Sequence, residues 1–198
     1  ITVHPRQDER HIRRADVYDL KKIVTTEFNI EGYPSTDFLK MVVEVKPEQC
    51  TLVPDAPGQL TSDHGWDTIT HHTFLTRVIA ELHKHYIRAS LFIDPRNDLI
   101  EYAKDAGADR IEFYTGPYAH NYLTDRKEAI KSFASAAEFC TKMGIGINAG
   151  HDLNLTNLKF FKQNIPGLLE VSIGHALVRD CLYYGLENTI QLYLRELE

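Results

Sequence analysis

The sequence predicts an α/β fold in which repeated βα units build a parallel barrel. Seven short apolar runs end in polar or ionisable residues, and within most of them polar residues recur at every second position, which is a strand signal. The segments between the runs are long enough for crossover helices. Because parallel sheets are covered on both faces, we expect the polar stripe to point into a barrel interior, where catalytic groups converge at the carboxyl ends of strands.

The number of strand-like runs refines this prediction. The strands are predicted at residues 1–4, 28–31, 50–53, 89–94, 110–115, 145–149 and 170–174. A closed barrel of the common type needs eight strands, so we expect a TIM-type (β/α)8 barrel that lacks its first βα unit in this chain. An open doubly wound sheet is the alternative, but the sequence has no glycine-rich phosphate turn after an early strand. Residues 1–198 are therefore expected to form a single β/α-barrel domain.

Helices are predicted where apolar residues recur at spacings of three and four. The positions that define them are Val17, Leu20, Ile23 and Val24; Phe38, Leu39, Val42 and Val43; Phe74, Leu75, Val78, Ile79 and Leu82; Leu99, Ile100 and Ala103; Ile130, Phe133, Ala134 and Ala137; and Ile190 and Leu194. The clearest pattern covers residues 125–143. A long loop at 54–67 follows the third strand, and we expect it to act as a lid that excludes solvent.

Composition excludes several classes of function. At 198 residues and 43% hydrophobic content, the chain has the size of one domain with a substantial core. A balance of 22 Lys and Arg against 28 Asp and Glu argues against binding to nucleic acid or to an anionic membrane surface. Three widely spaced cysteines favour a reducing compartment over a disulfide framework. We therefore expect a cytoplasmic protein without a membrane span, since no run approaches about 20 apolar residues.

Ionisable residues on the inward face of the strands are the strongest indication of chemistry. His4 and Glu31 end the first two strands on that face, Glu112 lies in the middle of the fifth, and His151 follows the sixth. A buried carboxylate is costly unless it is paired or protonated. Modest desolvation brings such a group into the range of a general base. A purely structural His–Glu hydrogen bond is the alternative for the first pair.

Two further groups of residues predict anion sites. Small residues at the ends of the last two strands let backbone N–H groups approach a phosphate. The candidates there are Gly150, Asp152, Gly174 and His175. A basic cluster with Arg6 and His11 follows the first strand, and Thr61 in the long loop could add a hydroxyl. Tight βα turns and a solvated charged loop are the alternative explanations.

Other chemistries are not indicated. The histidine pairs His71–His72 and His83–His85 lack the i, i+4 spacing of a zinc site, so we interpret them as surface residues. The inward histidines and glutamates could in principle bind a metal. No lysine ends a predicted strand, which disfavours a Schiff-base aldolase. No GxSxG motif indicates acyl transfer. Two acid–base groups flanked by two anion sites favour proton transfer on phosphorylated substrates.

Longer motifs resemble a known family. They are ITVHPRQDERHI at 1–12, FNIEG at 28–32, LVP and QLTSDHGWD within 52–67, SLFID at 90–94, IEFYTGPYA at 111–119, INAGHDLN at 147–154 and SIGHA at 172–176. In this order they resemble the pyridoxine 5′-phosphate synthases of the vitamin B6 pathway. The resemblance implies a β/α barrel that condenses 1-deoxy-D-xylulose 5-phosphate with 3-amino-2-oxopropyl phosphate. Its products are pyridoxine 5′-phosphate, phosphate and water, and no cofactor or metal is implied.

The resemblance also implies roles for single residues. His4 and Glu31 match proton acceptors, His151 matches a proton donor, and Glu112 matches a residue that stabilises the transition state. Three positions match binding of the deoxyxylulose phosphate: Arg6, His11 and Thr61. Three others match binding of the aminoketone phosphate: Asp152, Gly174 and His175.

The chain departs from the family pattern at two places. Some members have glycine where this chain has Asp152, so only a backbone contact is implied there. The Asn-x-Asp-His strand and the downstream arginine of family members have no counterpart here. The family typically assembles as octamers, which implies a homo-oligomer with Tyr183 and Tyr184 as candidate interface residues. Two other functions stay open: a phosphosugar isomerase or lyase barrel with Glu31 as base, and a non-catalytic barrel that binds phosphorylated ligands.

Overall fold

The computed structural model describes residues 1–55, 58–59 and 61–198, which form a nearly closed β/α barrel. Its strands, in chain order, are β1 Thr2–Val3, β2 Asn29–Gly32, β3 Gln49–Leu52, β4 Arg88–Ile93, β5 Arg110–Tyr114, β6 Gly146–Gly150 and β7 Leu168–Ser172. Neighbouring strands along the chain pair in parallel from β1 to β7. No ladder joins β1 to β7 within the described ranges. The predicted fold class is confirmed, and each strand end differs from its prediction by no more than two residues.

Helices cover the outside of the sheet. They are α1 Arg14–Ile23, α2 Thr36–Val45, α3 His72–Lys84, α4 Asn97–Asp105, α5 Gly116–Met143, α6 Leu158–Asn164, α7 His175–Tyr184 and α8 Leu186–Glu196. Helix α5 breaks at Asp125, whose φ of −153° is not helical. The Asp125 carboxylate accepts the backbone N–H groups of Lys127 and Glu128, so it caps the second half of the helix, which starts where the sequence predicts. The periodicity does not predict the first half.

The sheet register places alternate side chains inside the barrel. Glu31 lies beside Thr51, and Glu112 lies between Phe92 and Asn148. The residues between them face outward and form the core with the helices, for example the fully buried Ile30, Cys50, Leu91, Ile111 and Phe113. The interior is therefore polar, as the alternation in the sequence predicts, because each strand reverses its side chains at every residue.

The end of the predicted lid is attached to the barrel. The Trp66 backbone N–H donates to the carbonyl of Phe92 at 2.8 Å, and its indole Nε1 donates to the carbonyl of Leu52 at 3.0 Å. Gly65 lies so close to β4 that a Cβ there would meet Ile93 Cα at 2.3 Å. Residues 56, 57 and 60 of the predicted lid lie outside the described residues. Lid function stays a prediction.

We expect Gly65→Ala to destabilise the protein by about 1–3 kcal/mol, the usual cost of overpacking. The added methyl meets backbone atoms of Ile93 and Asp94 at 2.3–2.6 Å, and backbone cannot rotate away as a side chain can. Urea unfolding followed by circular dichroism measures the effect. Gly174→Ala is the control for stability, since its Cβ meets nothing within 4 Å. Equal midpoints for the two variants would contradict this packing.

The three cysteines are unpaired: Cys50 and Cys140 are buried in the core, whereas Cys181 is half-buried. Within the described part of the chain, no helix has both the length and the apolarity to cross a membrane. The same residues contain no group of three or more histidine, cysteine or acidic side chains arranged to hold a metal ion.

Candidate active site

A buried histidine–glutamate pair lies at the carboxyl ends of β1 and β2. The parallel register places Thr2 beside Asn29, so His4 and Glu31, each two residues further on, point the same way. His4 Nδ1 and Glu31 Oε1 are 2.9 Å apart. Glu31 is only 8% exposed, whereas His4 is half-buried and borders the cavity at the barrel mouth. The two predicted proton acceptors therefore form one hydrogen-bonded unit.

The surroundings of Glu31 favour its charged form. Burial alone would raise the pKa of this carboxyl group, but the charge and hydrogen bond of His4 oppose burial, and His151 and Arg6 add to them. The balance holds the pKa of Glu31 below its usual value. Glu31 is therefore a carboxylate at neutral pH, which is the form that can accept a proton.

His151 lies directly after β6 with a left-handed backbone, at a φ of +86°. Its imidazole lies against the rings of Phe92 and Tyr114, with centroids 5.3 and 5.4 Å away. Burial lowers the pKa of His151, while the nearby charge of Glu31 acts in the opposite direction. His151 and Glu31 thus influence each other's ionisation, and both lie at the carboxyl ends of parallel strands. The predicted donor and the predicted acceptors therefore lie at the same mouth of the barrel.

Glu112 lies deeper, inside the barrel on β5, and is 1% exposed. Burial raises its pKa well above the usual value, and the charges of Glu31 and Glu170 raise it further. Its Oε2 has no hydrogen-bond partner among the described residues. Glu112 Oε1 is close to Gly150, where an added Cβ would lie 2.2 Å from it. Its surroundings therefore favour the protonated, neutral form of Glu112, in contrast to those of Glu31.

We expect Glu112→Gln to be at least as stable as the parent protein at neutral pH. The parent's native state keeps a proton that its unfolded state loses above about pH 4.5, so its stability falls as the pH rises toward the raised pKa. Glutamine has no such proton, so the advantage of the variant should grow by at most about 1.4 kcal/mol per pH unit. Urea titrations at several pH values measure this. A constant difference between about pH 5 and about pH 8 would mean that native Glu112 is ionised.

Arg6 connects the loop after β1 to the predicted lid. Its Nη1 forms an ion pair with Asp55 Oδ2 at 2.9 Å, and its guanidinium also reaches the Gln59 carbonyl and the Ser62 hydroxyl. Ser62 in turn donates to Asp55 at 2.6 Å. A cavity of about 460 Å³ opens beside these groups. Its lining includes His4, Arg6, Arg10, Arg14, Tyr33 and Ser35. Four carboxylates also line the cavity, and two of them pair with its arginines: Asp55 with Arg6 and Asp8 with Arg10. A phosphate would therefore have to replace a carboxylate to use these cationic donors.

The other predicted binding residues lie in the segments that follow β1, β3, β6 and β7. His11 and Thr61 are exposed. Gly174 begins α7 as its N-terminal cap residue and His175 is the first helical residue, both exposed. Asp152 has a left-handed backbone, at a φ of +57°. Because Gly150 pairs with Ser172, the segments that carry Asp152 and Gly174 leave adjacent strands side by side.

Sequence reasoning did not select several residues of the site. Asp55 and Ser62 hold Arg6, and Tyr114 and Thr115 contact the segment that carries His151. Three of these follow or end a strand at the carboxyl side of the barrel, so the general rule for such barrels could have identified them. Ser62 gives no such signal, since it lies in the middle of the long loop.

Comparison with solved structures identifies the fold. The chain matches 3-keto-L-gulonate-6-phosphate decarboxylase from Vibrio cholerae with a TM-score of 0.66 at 8% identity, covering 99% of this chain and 84% of that one. It matches phosphoribosylanthranilate isomerase from Thermotoga maritima with a TM-score of 0.61 at 9% identity, covering 99% and 85%. At such low identity the similarity concerns the barrel fold alone.

Similar sequences identify the family. Pyridoxine 5′-phosphate synthase of Cytophaga hutchinsonii is 60% identical over 198 residues, covering 100% of this chain and 83% of the relative. The protein of the same name from Flavobacterium johnsoniae is 56% identical over 198 residues, covering 100% and 84%. Residues 1–198 also match the family described as pyridoxal phosphate biosynthesis protein PdxJ. The resemblance noted from the motifs is thereby confirmed, and this chain belongs to the PdxJ family.

Proposed function

We propose that this chain is a pyridoxine 5′-phosphate synthase. It condenses 1-deoxy-D-xylulose 5-phosphate with 3-amino-2-oxopropyl phosphate, and releases pyridoxine 5′-phosphate, phosphate and water. The observation that carries the proposal is the cluster of His4, Glu31 and His151 at the barrel mouth of a PdxJ chain. The pKa of Glu31 is lowered and that of Glu112 is raised, which supports the proposal. Pairs of titratable groups with divergent pKa values indicate acid–base chemistry.

The proposed reaction begins when the amine of the aminoketone condenses with the carbonyl of deoxyxylulose phosphate. Proton transfers then drive the loss of phosphate and water and the closure of the pyridine ring. Glu31, held as a carboxylate, removes protons from carbon, and His4 shares them through its 2.9 Å contact. His151 returns protons to the leaving oxygen atoms. Each such step contributes about 10²–10⁴-fold to the rate, so positioning of the two substrates supplies the rest.

Glu112 has a different role in this proposal. A neutral carboxylic acid can donate a hydrogen bond, whereas a carboxylate can only accept one. Because burial favours the protonated form of Glu112, this side chain can stabilise negative charge that develops on the reacting molecule. Its place inside the barrel on β5, with Oε1 beside Gly150 at the end of β6, supports this.

The phosphate groups are proposed to bind on two sides of the mouth. Arg6, His11 and Thr61 bind the deoxyxylulose phosphate, for which the cavity beside Arg6 provides room. Asp152, Gly174 and His175 bind the aminoketone phosphate, where the start of α7 presents free backbone N–H groups. Entry of the first phosphate exchanges the Arg6–Asp55 ion pair for an Arg6–phosphate contact, so loop 54–67 is proposed to rearrange as a lid.

We also propose a cytoplasmic homo-octamer that binds neither nucleic acid nor membranes. Unpaired cysteines support the compartment, and the acidic net charge of −6 supports the absence of polyanion partners. Large apolar side chains exposed on α7 and α8 support assembly, among them Val178, Leu182, Tyr183, Tyr184 and Leu186. Light scattering of the purified chain tests the oligomeric state, and a monomer at micromolar concentration would contradict it.

Product analysis with the two substrates tests the reaction. The proposed function predicts pyridoxine 5′-phosphate and inorganic phosphate in equal amounts, and neither when one substrate is omitted. An isomerase would convert one phosphosugar alone. A phosphate-ligand sensor would bind both substrates in calorimetry without turnover. Either result would contradict the proposed function.

A further inference from the structure

The junction of β5 and α5 carries a buried threonine, Thr115, whose hydroxyl does not cap the helix that follows. Thr115 is the N-terminal cap residue of α5, where a threonine hydroxyl normally accepts an N–H of the first turn. Its hydroxyl makes no such bond. Instead it donates to the end of β6, with Oγ1 2.6 Å from the Gly150 carbonyl oxygen, and it also contacts the carbonyl oxygen of the next residue, His151. The Thr115 backbone N–H donates to the same Gly150 carbonyl at 2.9 Å.

The segment held in this way has an unusual backbone. His151 and Asp152 both have positive φ, at +86° and +57°, which is costly for residues with a side chain. Such conformations persist only where the surroundings hold them. Thr115 is 0% exposed, so water does not replace its hydroxyl in these contacts. The direction of the His151 side chain follows from this backbone, because φ sets where Cβ points.

We propose that Thr115 is a positioning residue for His151. The Thr115 hydroxyl holds the left-handed backbone that places the His151 imidazole against Phe92 and Tyr114 at the barrel mouth. The inference rests on the proposed function only for its effect on the rate. Its structural part concerns the placement of one imidazole and can be measured without substrate. Nothing in the helix itself requires the hydroxyl, since α5 starts without a side-chain cap bond.

Two variants separate the hydroxyl from the rest of the side chain. Thr115→Val keeps the shape and removes the hydroxyl, whereas Thr115→Ser keeps the hydroxyl. We expect Thr115→Val to lower kcat by about 10²-fold, the usual cost of displacing a reacting group by about 1 Å, with KM changed little. Thr115→Ser should retain most of the activity. Thr68→Val is the matched control, because Thr68 is equally buried and its hydroxyl donates to a carbonyl away from the site, that of Leu99 at 2.8 Å.

NMR titration of the His151 imidazole gives a readout that does not depend on turnover. The groups whose charges act on it include Glu31, Asp152, Asp55 and Arg6, and the carboxylate of Asp63 also interacts with it. Tyr114 also lies against the ring. Moving the imidazole out of this environment changes its titration midpoint and its contacts with Tyr114. We expect both changes in Thr115→Val and neither in Thr115→Ser or Thr68→Val.

The outcomes distinguish this inference from the proposed function. A wild-type chain that makes no pyridoxine 5′-phosphate would overturn the proposed function, and the titration of His151 would still decide the inference. An unchanged titration and kcat in Thr115→Val would overturn the inference alone. If Thr115→Val does not fold, Thr115→Ala serves as the second hydroxyl-free variant. Failure of both to fold, with Thr68→Val folded, would assign the hydroxyl to global stability and also overturn the inference.

Discussion

Glu31→Gln is expected to lower kcat by about 10²–10⁴-fold, the range of a general base. Glutamine has nearly the same shape, but it cannot accept a proton from carbon. The carboxylate is prepared for this task because His4, His151 and Arg6 together hold its pKa below the usual value despite burial. Steady-state rates of pyridoxine 5′-phosphate formation measure the effect, and KM for both phosphorylated substrates should change much less.

Two controls are needed to interpret the rate of Glu31→Gln. Glu48→Gln removes a carboxylate that accepts the Phe28 backbone N–H at the amino ends of β2 and β3, away from the mouth, and it should leave kcat unchanged. Circular dichroism should show that Glu31→Gln is folded. A Glu31→Gln protein with the parent's kcat would refute the role of Glu31 as the base.

His151→Asn is expected to have the second large effect, a loss of about 10²–10⁴-fold in kcat. Asparagine tolerates the left-handed backbone found at this position better than most residues do, so the variant removes the imidazole with the least strain. The pH profile offers a second measurement. Because burial lowers the pKa of His151, activity that needs its proton should decline above a midpoint lower than that of free histidine.

The variant should also lose this pH dependence, since asparagine does not titrate. His83→Asn is the control, because His83 is exposed and pairs with Asp109 at 2.8 Å before the start of β5, away from the mouth. It should retain the parent's rate and pH profile. Rates of His151→Asn within about threefold of the parent would show that another group donates the proton.

Local patterns were sufficient to predict the fold and the placement of several candidate site residues. Strand alternation placed His4, Glu31 and Glu112 on the inward face, because side chains alternate across every strand irrespective of what surrounds it. The rule that parallel strands share one functional end placed His151 with them. The first half of α5 was not predicted, because Asp125 caps the second half and so resembles the start of a separate helix.

Contacts between separate loops depended on closure of the barrel. The sequence shows Arg6 and Asp55 as two charges 49 residues apart, and only the curvature of the sheet brings them to 2.9 Å. The opposite pKa shifts of Glu31 and Glu112 have the same origin. Burial and neighbouring charges set a pKa, and neither can be determined from the amino-acid sequence alone. The contact of Thr115 with His151 likewise requires β5 and β6 to pair. The amino-acid order thus specified which residues face the interior, whereas the folded barrel specified their distances, and those distances set their chemistry.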